Sequence, residues 1–169
     1  MQLIHPETEH IAEIAAFRQE FIDCQDILHG TGQLAKFSSI EKWLTTIHKN
    51  NGQKTQFLIV GKDDRRLIGM LHVQHRLSEF DTQWGGHIRY CIRNSERGKG
   101  FAKKALIASL DYCQDIGLKR VLLTCNSENK PSVRVIESCG GKLENTIRLN
   151  RKNIKRYWIP LNEKEKTCL

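Results

Sequence analysis

The stretch from His87 to Cys125 constrains the fold most strongly, because it runs from strand to helix and back to strand. His87–Ile92 alternates apolar with more polar side chains, as a half-buried strand does. Residues 101–116 place apolar side chains on one helical face, and Gly117 is a natural stop. Residues 120–125 form a short apolar run that is typical of a strand inside a sheet. This order predicts the α/β (α+β) fold class, with helices packed on a sheet.

Periodicity changes from helix to strand along the first half of the chain. Apolar residues recur at helical spacing from Glu9 to Cys24, and Ser39 can cap a second helix. Between these helices, His29–Phe37 contains two glycines and is interpreted as a loop. Gln56–Val60 and Leu67–His75 are rich in β-forming residues and are joined by a charged turn, which predicts a pair of strands.

The last third of the chain predicts one more helix and two closing strands. Pro131 suits the first turn of a helix that ends near Ser138, just before two glycines. Leu143–Leu149 and Ile154–Leu161 are interpreted as strands around a basic turn. No repeat, low-complexity tract or linker divides the sequence, so we expect residues 1–169 to form a single domain.

Composition and charge narrow the class of protein. The 169 residues carry 27 Lys and Arg against 19 Asp and Glu, a formal net charge of +8. No apolar run approaches the roughly 20 residues that a membrane span needs, and the N-terminus lacks the pattern of a signal peptide. We therefore expect a cytoplasmic protein without membrane association.

The cysteines and histidines do not predict a metal site. Six cysteines, Cys168 among them, are scattered without a C-x-x-C pair, which is atypical of zinc sites and of disulfide frameworks. His72 and His75 lie three residues apart, but on a predicted strand. The positive charge invites an anionic partner. A basic nucleic-acid-binding protein is one alternative, although no recognised nucleic-acid motif accompanies the basic residues of the C-terminal strands.

The turn that follows Ile92 has the features of an anion site. A helix N-terminus leaves several backbone N–H groups without partners and adds partial positive charge, which suits phosphate. Gly98 and Gly100 have no side chain that would hold a ligand away from the backbone, and Lys103 and Lys104 add charge. The Walker A and dinucleotide-binding patterns are absent. An ordinary tight turn before a basic surface helix is the alternative.

One motif in this turn is similar to a family signature. Arg97-x-x-Gly100-x-Ala102 resembles the R/Q-x-x-G-x-G/A pyrophosphate signature of the GNAT superfamily of acetyltransferases. The resemblance implies a GNAT-like fold, a mixed and mostly antiparallel twisted sheet flanked by helices.

A second motif supports the resemblance. Asn129 and Ser132 match the superfamily's N-x-x-[AS] segment, and the run Ile136–Gly141 resembles the helix end that follows it. The similarity extends from about Thr55 to Leu161, with its elements in the expected order, and includes details typical of a bacterial subgroup of predicted acetyltransferases. For Asn129 and Ser132 the alternative is turn and helix-cap chemistry.

The resemblance implies a cosubstrate and a reaction. The enzyme would transfer the acetyl group of acetyl-coenzyme A to a primary amine of an unidentified acceptor, by direct attack in a ternary complex and without a metal. The acceptor would be a small-molecule or peptide amine and not a nucleic acid, and a homodimer is left open. The implied cofactor-binding residues are Ile92, Arg97, Gly98, Lys99, Gly100, Phe101, Ala102, Asn129 and Ser132.

Acetyl transfer to an amine needs a base for the incoming ammonium and a donor for the developing oxyanion. The Ile92 N–H is the candidate donor. His87 is the first candidate base, since it lies on the strand that leads to the turn and an imidazole titrates near neutrality. His75, at the end of the preceding strand, is the second candidate. Glu79 and Asp81, in the loop after it, are the third.

The acid that would protonate the leaving thiolate has no obvious candidate. Many family members have a tyrosine four residues after the Ser132 position, and this chain has Ile136 there. Tyr90, Ser132 and water are the alternatives, or no acid is needed, because a free thiol titrates near ~8.5. A coenzyme A-binding sensor without catalysis is therefore a second functional hypothesis.

Overall fold

A computed structural model describes residues 1–49 and 52–161. Antiparallel strands form a first sheet in the order β1-β2-β3-β4. Their bounds are Gln2–Ile4 (β1), Lys54–Val60 (β2), Leu67–Gln74 (β3) and Ile88–Ile92 (β4). Most residues of β2 and β3 are buried, because helices cover both faces of the sheet at its centre.

A second antiparallel sheet has the strand order β5-β7-β6. Its strands are Arg120–Asn126 (β5), Lys142–Leu149 (β6) and Lys152–Pro160 (β7). β6 and β7 form a hairpin whose two turn residues, Asn150 and Arg151, have φ angles of 47° and 65°. Positive φ at both central residues matches the right-handed twist of the paired strands.

The α-helices of the described residues are Ile11–Asp23 (α1), Ile40–Lys49 (α2), Phe101–Asp115 (α3) and Lys130–Ser138 (α4). The side chains of α1 and α2 form one hydrophobic cluster with one face of the first sheet. Those of α3 and α4 form a second cluster with its opposite face and with the second sheet. The predicted cap of α2 is present, with the Lys42 N–H donating to Ser39 Oγ at 3.4 Å.

The two sheets meet where β4 and β5 begin. The His87 N–H donates to the Leu122 carbonyl at 2.7 Å, and Gly86 forms a bridge with Leu123. Beyond this point β4 and β5 belong to separate sheets, and side chains of both line an open space. The fold therefore creates a gap in the middle of the molecule, between two strand edges.

The register of β3 and β4 decides which backbone groups of β4 face this gap. The Gln74 N–H donates to the His87 carbonyl at 2.7 Å, and the Arg93 N–H donates to the Ile68 carbonyl at 2.9 Å. Because pairing alternates along an antiparallel ladder, the odd-numbered residues of β4 direct their N–H groups at β3. The N–H of Ile92 therefore points the other way, towards the gap.

The predicted fold class is confirmed, as is the order of helices and strands from α1 to β7. Several short elements were missed, among them β1 and a π-helical turn at Asp81–Gly85. β1 has three residues, too few to show a period, and the turn lies in a stretch with no regular spacing. In the described part of the chain, no helix is long and apolar enough to cross a membrane. Cys168 lies outside the described residues.

Candidate active site

Two cavities lie side by side in the gap between the sheets. The first has a volume of about 680 Å³ and is bounded by the turn before α3, and we call it the turn cavity. The second, of about 470 Å³, reaches the β6–β7 hairpin, and we call it the hairpin cavity. Residues common to both linings mark where the cavities join: Ile27, His29, Tyr90, Asn129 and Ser132.

The wall of the turn cavity at α3 is exposed backbone. Gly98 and Gly100 have φ angles of +77° and +79°, and a Cβ at either position would meet nothing within 4 Å. Gly100 is the N-cap of α3 and provides no side-chain cap, so the first N–H groups of the helix have no such partner. The positive end of the helix dipole adds to their charge. This open backbone surface suits a phosphate group.

The side chain of Arg97 anchors the turn to the body of the protein. Its Nε donates to the Ile92 carbonyl at 3.0 Å, and its guanidinium pairs with Asp26 and lies over the Phe21 ring. Burial alone would raise the pKa of Asp26, but the hydrogen bonds from Arg97 and from the Ile27 amide lower it below its ordinary range. The Arg97 side chain thus fixes the turn, and the backbone of the turn is left to face the cavity.

The free positive charges of the turn cavity are not those of the sequence motif. Lys99 pairs with the buried Glu96 at 3.0 Å, and Arg66 pairs with the same carboxylate. Among the described residues, the positive charges that line the cavity without such a partner are those of Lys103 and Arg134. Arg134 lies on α4 and was missed by the sequence analysis, because only the packing of α4 beside α3 brings it there.

Tyr90 presents a buried hydroxyl at the junction of the two cavities. Among the described residues this oxygen makes no hydrogen bond of normal geometry, although the Ser132 side chain lies near enough to interact with it. Burial raises the pKa of Tyr90 to about 12, against a smaller lowering by the nearby Ser132. A buried donor without a partner costs stability, and this one stays protonated at neutral pH. It is well suited to donate to a bound ligand.

Asn129 and Ser132 form the helix cap that the sequence left as an alternative. Asn129 is the N-cap of α4, and its Oδ1 accepts from the Ser132 N–H at 3.2 Å. Both residues line both cavities. The cap fixes the Asn129 carboxamide with its oxygen towards the helix, so the Asn129 Nδ2 donors remain for a ligand.

His29 is the histidine at the junction of the cavities, and the sequence analysis assigned it no role. The residue is exposed to solvent, but desolvation of its ring among the neighbouring groups lowers its pKa; Asp26 acts in the opposite direction, and the charges of Arg89 and Lys152 lower the pKa further. The imidazole is therefore neutral near pH 7 and can accept a proton. It lies in the loop after α1, where no local pattern distinguishes it from a surface histidine.

The hairpin cavity is assembled from distant segments of the chain. It takes side chains from the loop after α1, the β3–β4 connection, β4, β5, α4 and the hairpin. Their character is mostly apolar, with a few cationic and amide groups. The lining that is not shared with the turn cavity is Phe80, Trp84, Gly85, Ile88, Arg89, Leu123, Thr124, Cys125, Asn126, Ile136, Leu149, Lys152 and Ile154.

A family model described as an acetyltransferase (GNAT) domain matches residues 1–142. The chain belongs to the GNAT acetyltransferase family. It is 29% identical over 100 residues to an uncharacterized N-acetyltransferase, YnaD, from Bacillus subtilis (strain 168). That match covers 58% of this chain and 56% of the relative, so the chain spans little more than half of the relative's length.

Solved structures with the same fold come from several acetyltransferases. A spermidine N-acetyltransferase SpeG mutant from Vibrio cholerae has a TM-score of 0.70 at 18% identity and covers 95% of both chains. A ribosomal-protein-S5-alanine acetyltransferase from Vibrio fischeri has a TM-score of 0.75 at 18% identity, over 96% of this chain and 93% of the other. YncA, a putative acetyltransferase from Salmonella typhimurium with acetyl-CoA, has a TM-score of 0.68 at 12% identity, over 99% and 98%.

GNAT enzymes use acetyl-coenzyme A, and the lining of the turn cavity is compatible with that cosubstrate. The open backbone at Gly98 and Gly100 can take a pyrophosphate, and Lys103 and Arg134 add charge for phosphate groups. The N–H of Ile92 points into the gap beside the turn cavity, and the hydroxyl of Tyr90 lies where the two cavities join. Among the described residues, no group of His, Cys, Asp and Glu is arranged to hold a metal ion.

The two histidines that the sequence predicted as candidate bases lie away from the cavities. His87 is buried, its Nδ1 accepts from the Leu122 N–H at 2.9 Å, and its ring packs on Trp158. Burial lowers its pKa to about 4. His75 Nε2 lies 2.9 Å from Thr55 Oγ1. Neither histidine lines the turn cavity or the hairpin cavity, so the geometry favours His29 over both as the base.

The remaining candidates for the base, Asp81 and Glu79, lie outside both cavities. Asp81 lies in the π-helical turn and pairs with Arg89 at 2.8 Å, so its carboxylate holds the cavity wall. Glu79 lines neither cavity. Ile136 is buried and contributes apolar surface to the hairpin cavity at the position where many relatives have tyrosine.

Proposed function

We propose that this acetyltransferase transfers the acetyl group of acetyl-coenzyme A to a primary amine of a small molecule or peptide. Both substrates would be bound at once, acetyl-coenzyme A in the turn cavity and the amine in the hairpin cavity. The observation that carries the proposal is the junction of the two cavities at Tyr90, beside the Ile92 edge of β4. At that junction an amine and a thioester could meet directly.

The cofactor-binding proposal keeps the residues of the two motifs. Backbone N–H groups from Arg97 to Ala102 would bind the pyrophosphate, as the open N-terminus of α3 supports. The edge of β4 at Ile92 would pair with the amide groups of the pantetheine arm. Asn129 Nδ2 would donate from the opposite wall, and Ser132 would lie beside the bound arm.

The catalytic proposal assigns one task to each of three groups at the junction. The bound cosubstrate supplies an activated acetyl thioester. The Ile92 N–H would stabilise the charge that develops on its carbonyl oxygen. His29, neutral at pH 7, would take the proton that the ammonium loses, directly or through one water. Tyr90 would donate a hydrogen bond to the departing sulfur.

Tyr90 is proposed as a hydrogen-bond donor and not as the acid. Its pKa of about 12 lies well above the ~8.5 of a free thiol, so proton transfer from the phenol to a thiolate is unfavourable. A short hydrogen bond to the negative sulfur needs no such transfer. The missing tyrosine at Ile136 is then no obstacle to catalysis, because the thiolate can leave unprotonated.

Direct attack on the thioester is favoured over a covalent acetyl-cysteine. Cys125 is a cysteine in the lining of the hairpin cavity, and burial raises its pKa to about 11. Burial also raises the pKa of Cys139. A thiol that stays protonated at neutral pH is a poor nucleophile, so no cysteine intermediate is included.

The test is an amine-dependent assay of thiol release from acetyl-coenzyme A, with the acetylated product identified by its mass. We expect release that requires an amine and saturates with both substrates, in a pattern of intersecting lines that indicates a ternary complex. Parallel lines, with release of thiol before any amine is added, would support a covalent intermediate. Tight binding of acetyl-coenzyme A without turnover of any amine would favour the sensor hypothesis.

A further inference from the structure

The hairpin cavity carries positive charge and no negative charge in its lining. Among the described residues that line it, none is Asp or Glu. Its charged side chains are Arg89 and Lys152, and both lower the pKa of the neighbouring His29. The charged side chains that line this cavity are therefore cationic, and the two carboxylates that oppose them, Asp26 acting on His29 and Asp81 paired with Arg89, lie outside its lining.

The two cations differ in how far their charge is already neutralised. Arg89 pairs with Asp81 at 2.8 Å, and its Nε donates to the Gly85 carbonyl at 3.2 Å. Lys152 is the first residue of β7, directly after the hairpin turn, and it has no ion pair among the described residues. Lys152 is thus the charge of the cavity that is available to a ligand.

The other walls of the hairpin cavity are apolar, and part of this surface is exposed to solvent. Ile27 is 60% exposed and Phe80 is 62% exposed, which is unusual for side chains of this size. Trp84, Leu149 and Ile154 continue the same lining. An acceptor that covered these side chains would remove apolar surface from water, which favours an apolar body over a small polar amine.

We propose that the acceptor is an amine with a carboxylate on an apolar body, such as a hydrophobic amino acid or a short peptide, and that Lys152 binds the carboxylate. The inference rests on the proposed function of the same site. Lys152 would match one negative charge, while the apolar walls would cover the body. A polyamine would bring several positive charges into a cavity whose charged lining residues are all cationic.

The positive charges of the lining would also assist the loss of the proton from the acceptor ammonium. An ammonium group near Arg89 and Lys152 loses its proton more easily than it does in water, because the neighbouring cations disfavour its charged form. The carboxylate of the acceptor would hold the molecule by its other end. Recognition and activation of the amine would then come from the same charges.

The experiment compares matched pairs of amines with saturating acetyl-coenzyme A. The pairs are phenylalanine with phenylalaninamide, and the dipeptide Phe-Ala with its C-terminal amide, and spermidine is the polycation. Values of kcat/KM are corrected for the fraction of each amine that is unprotonated. We expect the carboxylate member of each pair to be preferred about fivefold, as for a solvated charge pair, and spermidine to be the poorest substrate.

Variants of Lys152 test whether this side chain causes the preference for the carboxylate amine. Lys152→Gln should make the two members of the pair equal, mainly through KM, and Lys152→Glu should invert their order. Arg148→Gln removes the same charge from an exposed position of the same hairpin, outside the cavity, and should keep the wild-type preference. A preference that survives in Lys152→Gln would overturn the assignment.

The outcomes separate this inference from the proposed function. Turnover of phenylalaninamide or spermidine at least as fast as that of the carboxylate amines overturns the acceptor class and leaves amine acetylation standing. Binding of acetyl-coenzyme A without turnover of any amine overturns the proposed function, and the acceptor class with it.

Discussion

The turn cavity and the hairpin cavity share a boundary but are built in different ways. The wall of the turn cavity at α3 is a continuous run of backbone from the end of β4 to the first turn of the helix, and its chemistry follows from local conformation. The hairpin cavity joins side chains from six separate parts of the fold. The backbone wall of the turn cavity can therefore be recognised in the sequence, while the assembled side chains of the hairpin cavity cannot.

The two cavities also use charge differently. At the turn cavity, the motif residues Arg97 and Lys99 are neutralised by Asp26 and Glu96, and the helix terminus is left as the anion site. At the hairpin cavity, the free charge is a single lysine side chain, Lys152. Removal of a single side chain should therefore change the activity only modestly in the turn cavity. At the junction of the cavities, where single groups act on the reaction, it should change the activity more.

The largest expected effect is at His29, which connects the two cavities. His29→Gln should lower kcat/KM at neutral pH by about 100-fold, the low end of general-base contributions. A base works above its pKa, and the pKa of His29 is lowered from 6.5. The kcat/KM of the wild type should therefore fall as the pH drops through the pKa of His29, below 6.5. The variant should not show this fall.

A matched variant makes the His29 test specific. His75→Gln changes a histidine that lines neither cavity and should cost less than about threefold, since no reacting group is in reach. The rates are measured by thiol release across the pH range. Equal losses in the two variants, or an unchanged pH profile in His29→Gln, would contradict the assignment of the base.

The second largest effect is expected at Tyr90, which lies where the two cavities join. Tyr90→Phe should lower kcat by about ten- to a hundredfold, the size of a hydrogen bond to a charged group. The loss should not depend on pH near neutrality, because the pKa of Tyr90 is about 12. A loss far above a hundredfold would indicate a true acid, and a loss below about threefold would assign the role to water.

A smaller effect is expected at His87, where the two sheets meet, on the dependence of the free energy of unfolding on pH. The pKa of His87 is about 4 in the folded protein, while the unfolded chain takes up the proton near 6.5. The free energy of unfolding should therefore decrease as the pH falls from 6.5 towards 4. His87→Asn, which keeps an acceptor for the Leu122 N–H, should reduce that slope. Equal slopes in chemical unfolding of the two proteins would refute the assignment.

The sequence predicted the turn cavity because its determinants are local. A strand end, two glycines and an amphipathic helix specify an open helix terminus without reference to the rest of the fold. The side chain of Arg97 was less predictable, since its partner Asp26 lies 71 residues away in the chain. The motif residue was recognised, but the direction of its guanidinium depends on the packing of α1.

The proposed base was harder to predict because strand periodicity gives the face of a side chain but not its hydrogen bonds. His87 was expected near the reacting groups, but its ring turns to the Leu122 amide at the start of β5. His29 and Lys152 reach the cavities only through the loop after α1 and the hairpin turn. Neither segment contains a pattern that would mark these residues.

The most direct test is the shift in unfolding midpoint that acetyl-coenzyme A causes in Gly100→Glu and in Gly117→Glu. Both glycines have positive φ and open space at Cβ, so the backbone strain is matched, and only Gly100 lines the turn cavity. Acetyl-coenzyme A at about 100 times its Kd should stabilise the wild type and Gly117→Glu by about 2.7 kcal/mol. It should not stabilise a folded Gly100→Glu, whose carboxylate repels the pyrophosphate. Equal stabilisation of both variants would contradict the account.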